Sequence, residues 1–277
     1  MRENTPTITI IEPKSGWVPV DFREMWNYRE LLYFLTKRDI KVRYKQTVLG
    51  GLWAIIQPAF TMIVFTLFFG RLAKMPSDGL PYPVFVYAGL LPWTYFANAV
   101  TASGNSLVGN ANLITKVYFP RVVVPGSAAL AGLLDFLVAS MILAGLMVYY
   151  RFIPGPGVFL FPLLVALTFI GAVGVGLWLS ALNVQYRDIR YAIPFLIQVW
   201  MFVSPVIYPV SLVPENFQWL LALNPMGGLI HAYRACLLGH QPVDWALLGI
   251  SALIILALFV SGLYYFRRME KFFADVI

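Results

Sequence analysis

Residues 36–58 read TKRDIKVRYKQTVLGGLWAIIQP, and the fold is decided within them. The first half carries Lys37, Arg38, Lys41, Arg43 and Lys45, opposed only by Asp39. The second half turns apolar at residue 48 and stays so to residue 70. A cationic run abutting an apolar span of about 20 residues holds its charged end in the cytoplasm, so this junction orients everything downstream. Just upstream, Tyr28, Leu31, Leu32, Leu35 and Val42 recur at helical spacing with charges between them. The pattern predicts an amphipathic helix over 28–46, lying in the membrane surface with its basic face towards anionic headgroups or a partner. A solvated helix that only anchors the chain is the plainer alternative.

Composition supports the membrane reading. Of 277 residues, 60% are hydrophobic and 12% charged, against about 25% charged in soluble domains. The net charge of +7 does not mark a nucleic-acid binder, because the basic residues sit at the ends of apolar spans and form no stripe on a polar domain. One cysteine, Cys236, excludes an intramolecular disulfide and a cysteine metal framework. Residues 1–27 hold no apolar core of signal-peptide length. They are expected to remain as a cytoplasmic N-terminal segment.

The order predicted is an all-α integral membrane protein. It comprises residues 1–27, an interface helix over 28–46, and a six-helix membrane domain over 47–277. Spans are expected at 51–70, 84–107, 122–150, 157–182, 191–208 and 246–266. Pro58, Pro92, Pro194 and Pro205 interrupt them, tolerable where neighbours satisfy the freed backbone. The second span ends in small polar residues, Thr101 to Ser106, which is hydrophilic for a lipid-facing helix. Gly171, Gly174 and Gly176 allow close helix approach in the fourth. A short amphipathic insert lies at 109–121. The runs 217–223 and 228–238 are each too short to cross the bilayer, so two short re-entrant or interfacial outer helices are expected before the last span.

Charge tests this topology. With both termini inside, sixteen of the 20 Lys and Arg residues are cytoplasmic and only Arg71, Lys74, Arg151 and Arg234 are external. Every loop then obeys the positive-inside rule; the inverted topology does not.

Catalytic constellations are scarce. His231 and His240 lie in the outer region without a second ligand cluster and read as hydrogen-bonded structural groups. There is no G-x-x-x-x-G-K-[ST] phosphate loop, and no paired carboxylates stand in a span. Asp135 is a lone intramembrane acid, read as structural hydrogen bonding or as a direct transport residue. Aromatic residues are abundant in the first, second and fifth spans: Trp53 and Phe60, then Trp93, Tyr95 and Phe96, then Phe195, Trp200 and Tyr208. They suit either ordinary interface belts or a passage on which sugar rings stack.

RDIKVRYKQTVLGGLWAIIQP, PYPVFVYAGLLPW, NLITKVYFPRVVVP, SPVIYP and NPMGGLIHAYR follow one another in order. Together they resemble the membrane subunit of type-2 polysaccharide-exporting ABC transporters, the family serving O-antigen, teichoic acid and capsule export. The resemblance runs from Arg29 to the C-terminus. It implies a homodimer working with two copies of a separate ATPase, which holds the ATP and Mg2+; no cofactor is expected in this chain. It implies a gate helix bearing Leu31, Leu35, Arg38, Asp39, Lys41, Arg43 and Tyr44. It implies ATPase coupling through Leu113, Ile114, Lys116, Val117, Tyr118 and Phe119, with Leu113, Ile114 and Tyr118 inserted and Lys116 at the rim. Phe217, Trp219, Asn224, Pro225 and Arg234 would belong to an outer gate. The first and fifth helices of both subunits would enclose a conduit for a lipid-linked polysaccharide, with Trp53 and Phe60 on one helix face and Trp200 and Tyr208 on another. The location implied is the cytoplasmic membrane. A drug or small-lipid permease is the nearest alternative, with a narrower and more apolar conduit. A polyprenol-dependent glycosyltransferase lacks its acidic cluster here, and a structural scaffold leaves the insert at 109–121 unexplained.

Overall fold

The computed structural model describes residues 26–45, 50–239 and 241–273. The N-terminal segment, the junction at 46–49, His240 and the last four residues lie outside the described part. Among the described residues the secondary structure is helical throughout. In chain order the helices are α1 (Arg29–Lys45), α2 (Trp53–Phe65), α3 (Tyr82–Gly109), α4 (Ala111–Lys116), α5 (Val123–Tyr149), α6 (Phe161–Gln185), α7 (Ile189–Val203), α8 (Gln218–Leu223), α9 (Pro225–Leu238) and α10 (Trp245–Glu270). The helix of α2 runs on through a wider π-helical stretch, Thr66–Leu72.

Four stretches of the described chain are long and apolar enough to cross a membrane: Gly50–Leu72, Val123–Tyr149, Pro156–Gln185 and Trp245–Glu270. The two remaining expected spans differ from the sequence reading in instructive ways. α3 is long, 28 residues, but too polar in its lower half to qualify by composition. It is the central post of the fold, with α2, α5, α6, α7 and α9 packed around it. Val84, Tyr87, Ala88, Val100, Ser103 and Leu107 are fully enclosed. A helix wrapped by other helices meets little lipid, so Ser103 and Ser106 find protein partners instead: Ser103 Oγ donates to the Pro125 carbonyl at 2.9 Å.

In the expected fifth span only the first part is helical, as α7. The helix is 15 residues, about 22 Å at 1.5 Å per residue and short of the roughly 30 Å hydrocarbon thickness. It stops at Val203 because Pro205 forces Ser204 into an extended conformation, φ −89° and ψ 144°. Tyr208 therefore lies beyond the helix and shares no helical face with Trp200; its hydroxyl turns back to the Val203 carbonyl at 3.1 Å.

Non-helical backbone at membrane depth must be satisfied by protein, and the buried Arg234 of α9 does this. Its guanidinium donates to the carbonyls of Phe85 (3.1 Å), Pro205 (2.7 Å) and Val206 (2.7 Å), and lies 3.7 Å from the centre of the Phe85 ring. Gly89 makes room for it: a Cβ there would stand 2.6 Å from Nη2. Arg234 is thus an internal clamp between α9, α3 and the chain after α7.

The glycines of α6 do bring helices together. A Cβ on Gly174 would meet the Phe259 backbone at 2.8 Å, and one on Gly262 would meet the Gly174 carbonyl at 2.4 Å. Beside this contact Trp178 and Tyr265 stack at 4.3 Å, and the Trp178 indole donates to Ser261 Oγ at 3.2 Å. Small residues let the backbones approach and the aromatic pair fills the flank.

Candidate substrate path and coupling surface

α1 packs along α5 with Leu35 buried and Leu31 and Leu32 partly so. Val42 departs from that face and is mostly exposed; Arg43, one residue on, takes the inward position. There Arg43 Nη1 and the Tyr44 hydroxyl both donate to the Asp135 carboxylate of α5. This supplies the basic partner that the neighbouring spans lack in sequence, since it comes from the surface helix instead. Asp135 is structural in the sense that it pins the end of α1 to a membrane helix. The outer face of α1 carries Phe34, Lys37, Lys41 and Lys45 in a shallow basic groove. Arg38 spans two neighbours, Asp39 Oδ1 at 2.8 Å and Asn110 Oδ1 at 2.7 Å. Asn110 sits at the turn between α3 and α4, so α1 and the insert that follows α3 are joined by one guanidinium.

The segment 111–119 presents two faces, and they correct part of the docking expectation. Ile114 (3% exposed) and Phe119 are packed into the subunit's own core, and Leu113 leans on it. These residues secure α4 to its own subunit, so Ile114 is not available to insert into a partner. Lys116, Val117 and Tyr118 (62% exposed) face outward. The helix ends at Lys116 with Val117 extended, which turns the following side chains away from the core.

The aromatic residues divide in the same manner. Trp93, Tyr95 and Phe96 are buried; of the three only Tyr95 borders a cavity, and Trp93 and Phe96 are packing residues. Trp93 and Phe96 pack edge-on against Trp200 with centroids 6.3 Å and 5.1 Å away, and Trp200 Nε1 donates to Asn224 Oδ1 at 3.0 Å. Asn224 also accepts from the Met226 backbone N–H and donates to Ser204 Oγ, capping α9 and fastening the end of α7. Asn224 and Pro225 are thereby buried joints, while Phe217 and Trp219 of the outer segment stay exposed. Phe60 (65% exposed) and Phe195 face away from their own subunit, whereas Trp53, about half exposed, borders an internal cleft. α2 and α7 are the least enclosed membrane helices: one buried residue each, Pro58 and Ile193.

Between α2, α3 and α5 lies an open cleft of about 460 Å³. Thr94, Asn98, Thr101 and Asn105 of α3 line it at spacings of four, three and four, one face of the helix. Trp53 and Gln57 of α2 oppose them, and the Asp135–Arg43–Tyr44 joint borders the space. Aromatic content draws attention to the rings; the spacing of these four polar residues is the signal in the sequence that points to the cleft. Among the described residues, no three His, Cys, Asp or Glu side chains converge as a metal site.

These features define a multi-pass, all-helical membrane protein whose polar groups line a cleft and whose apolar helices stand partly unpacked. Residues 30–238 match the ABC-2 type transporter family, and the chain belongs to that family. It is 31% identical over 253 residues to the O-antigen export system permease protein RfbA of Myxococcus xanthus, covering 90% of this chain and 96% of that one. It is 29% identical to the protein of the same name from Klebsiella pneumoniae, covering 90% and 95%. The polysialic acid transport protein KpsM of Escherichia coli is 24% identical, covering 84% and 91%. The chain is a multi-pass inner-membrane protein.

Proposed function

We propose that this chain is the permease subunit of an ABC exporter that moves a lipid-linked polysaccharide, O-antigen in the first instance, outward across the inner membrane. The observation that carries this is similarity over nearly the whole length to permeases named for O-antigen and polysialic acid. Two copies form the membrane unit, each with six crossings and both termini cytoplasmic, and two copies of a separate ATPase bind ATP and Mg2+. α2 and α7, with exposed apolar faces, are the surfaces offered to the second copy and to lipid. Val117, Tyr118 and Lys116 form the docking edge for the ATPase. α8 and α9 form the outer, re-entrant pair. ATP drives the cycle through its higher affinity for the closed ATPase pair, and the docked segments carry that closure to the spans. The polar lining of the cleft suits sugars better than it suits an apolar drug.

Depletion of the chain is expected to leave complete polymer on its lipid carrier inside the cell while surface polymer falls. Unchanged surface polymer would refute the function. In a background with Cys236 replaced, single cysteines at Ser77, Pro156 and Gln241 should react with an impermeant thiol reagent from outside, and those at Asn112 and Gln185 should not. External labelling at Gln185 breaks the six-crossing topology.

A further inference from the structure

The cleft inside each subunit is more than a gap between helices. Gln57, Thr94 and Asn98 line it, and their side chains have no hydrogen-bond partner among the described residues. Neighbouring Thr101 and Asn105 are internally bonded, Thr101 Oγ1 to the Ala97 carbonyl at 2.8 Å and Asn105 Nδ2 to the Thr101 carbonyl at 2.9 Å. Uncommitted amides and hydroxyls on membrane helices are costly against lipid and are kept where they face a hydrated or ligand-filled space. Each of the three both donates and accepts, which matches the dual character of a sugar hydroxyl. Trp53, about half exposed (51%), presents an indole to the same space, the surface on which a sugar ring stacks.

Charge narrows the ligand class. The carboxylate at the cleft, Asp135, is committed to Arg43 and Tyr44. Among the described residues lining it, the cleft therefore offers neither a free carboxylate for a cationic drug nor a spare guanidinium for a phosphate. Its volume lies within the range of small-ligand sites, about 300–1,000 Å³, which admits a short run of sugar rings and excludes a coil of polymer.

We propose that this intrasubunit cleft is a binding subsite for uncharged sugar residues of the exported chain, with Gln57, Thr94 and Asn98 holding hydroxyls and Trp53 stacking on a ring. The proposal rests on the polysaccharide-export reading and adds to it a location and a chemical class. It puts a sugar contact inside each protomer, in addition to any passage between two copies.

The test uses the assembled permease–ATPase complex in nanodiscs, with Cys236→Ser and Asn98→Cys. The probe is lipid-linked polymer extracted from permease-depleted cells. A small hydrophilic methanethiosulfonate should label the introduced thiol readily, and polymer at ten times its Kd should slow labelling about tenfold. Tetraphenylphosphonium, an apolar cation, should give no protection. A thiol that does not label in the absence of polymer, or labels equally fast with it, overturns the subsite, as does protection by the cation alone. Asn98→Trp, which fills the cleft, should cut polymer export at least several-fold. Normal export by a well-assembled Asn98→Trp complex also overturns the subsite while leaving the export function intact; absence of export by the parental complex instead removes that function.

Discussion

α2 and α3 invert the relation between hydropathy and burial that holds in water. The most apolar 18 residues of the stretch containing α2 have a mean hydropathy of 1.9, yet only 6% of them are buried in the subunit. α3 carries Thr94, Asn98, Thr101, Ser103, Asn105 and Ser106, yet it is the most enclosed of the long helices. In a bilayer, apolar side chains are as content against lipid as against protein, so hydrophobicity alone does not drive a helix inward. Polar side chains do need protein, and they gather on the helix that is surrounded by it. Hydropathy therefore reports which helices tolerate lipid, and polar residues report which are wrapped.

The strongest challenge to this contrast is Arg234→Leu. Removing the guanidinium strands three enclosed carbonyls where helix and extended chain meet. At about 1–3 kcal/mol for an unsatisfied buried group, the variant should lose about 3 kcal/mol or more and give little monodisperse protein in detergent size exclusion. A variant of parental melting temperature would show that the joint beside α3 is held by packing alone.

A sharper comparison sits within one short segment. Ile114→Asp puts an unpaired charge into the core behind α4 and should lower stability by a few kcal/mol, about the scale of other buried-charge substitutions. Tyr118→Asp, four residues on and exposed, should leave melting within about 0.5 kcal/mol but reduce co-purification of the ATPase. Full ATPase recovery with Tyr118→Asp would remove the docking edge proposed above.

The smallest effect belongs to α2. Phe60→Ala takes a largely exposed ring from a helix with little own-subunit packing, so thermal stability of the subunit should move by about 0.5 kcal/mol or less. A loss of about 3 kcal/mol, the scale of a core Phe→Ala change, would mean that Phe60 is packed and that the α2–α3 contrast is wrong.

Much of the helical order was legible from residue order. The basic run before residue 48 and the regular apolar spans located the surface helix and most membrane helices to within a few residues. α9 begins three residues before the expected run at 228, because the Asn224 side chain caps it and Pro225 suits a first turn. The small residues of α6 announced close packing with another helix, although not that the partner was α10.

What stayed hidden depended on contacts between residues far apart in the chain. No periodicity tells that Arg43 on the surface helix reaches Asp135, ninety-two positions away, or that Arg234 reaches back to Phe85. Nor does aromatic content distinguish Trp93 and Phe96, locked against Trp200, from Phe60, which faces away from its own subunit. Sequence by itself determined that this chain is helical, membrane-embedded and segmented by charge, because hydropathy, proline and Lys/Arg act locally on each stretch. Tertiary structure alone decided which polar groups are satisfied and which remain open in the cleft, because a hydrogen bond is set by distance in space and not by separation along the chain.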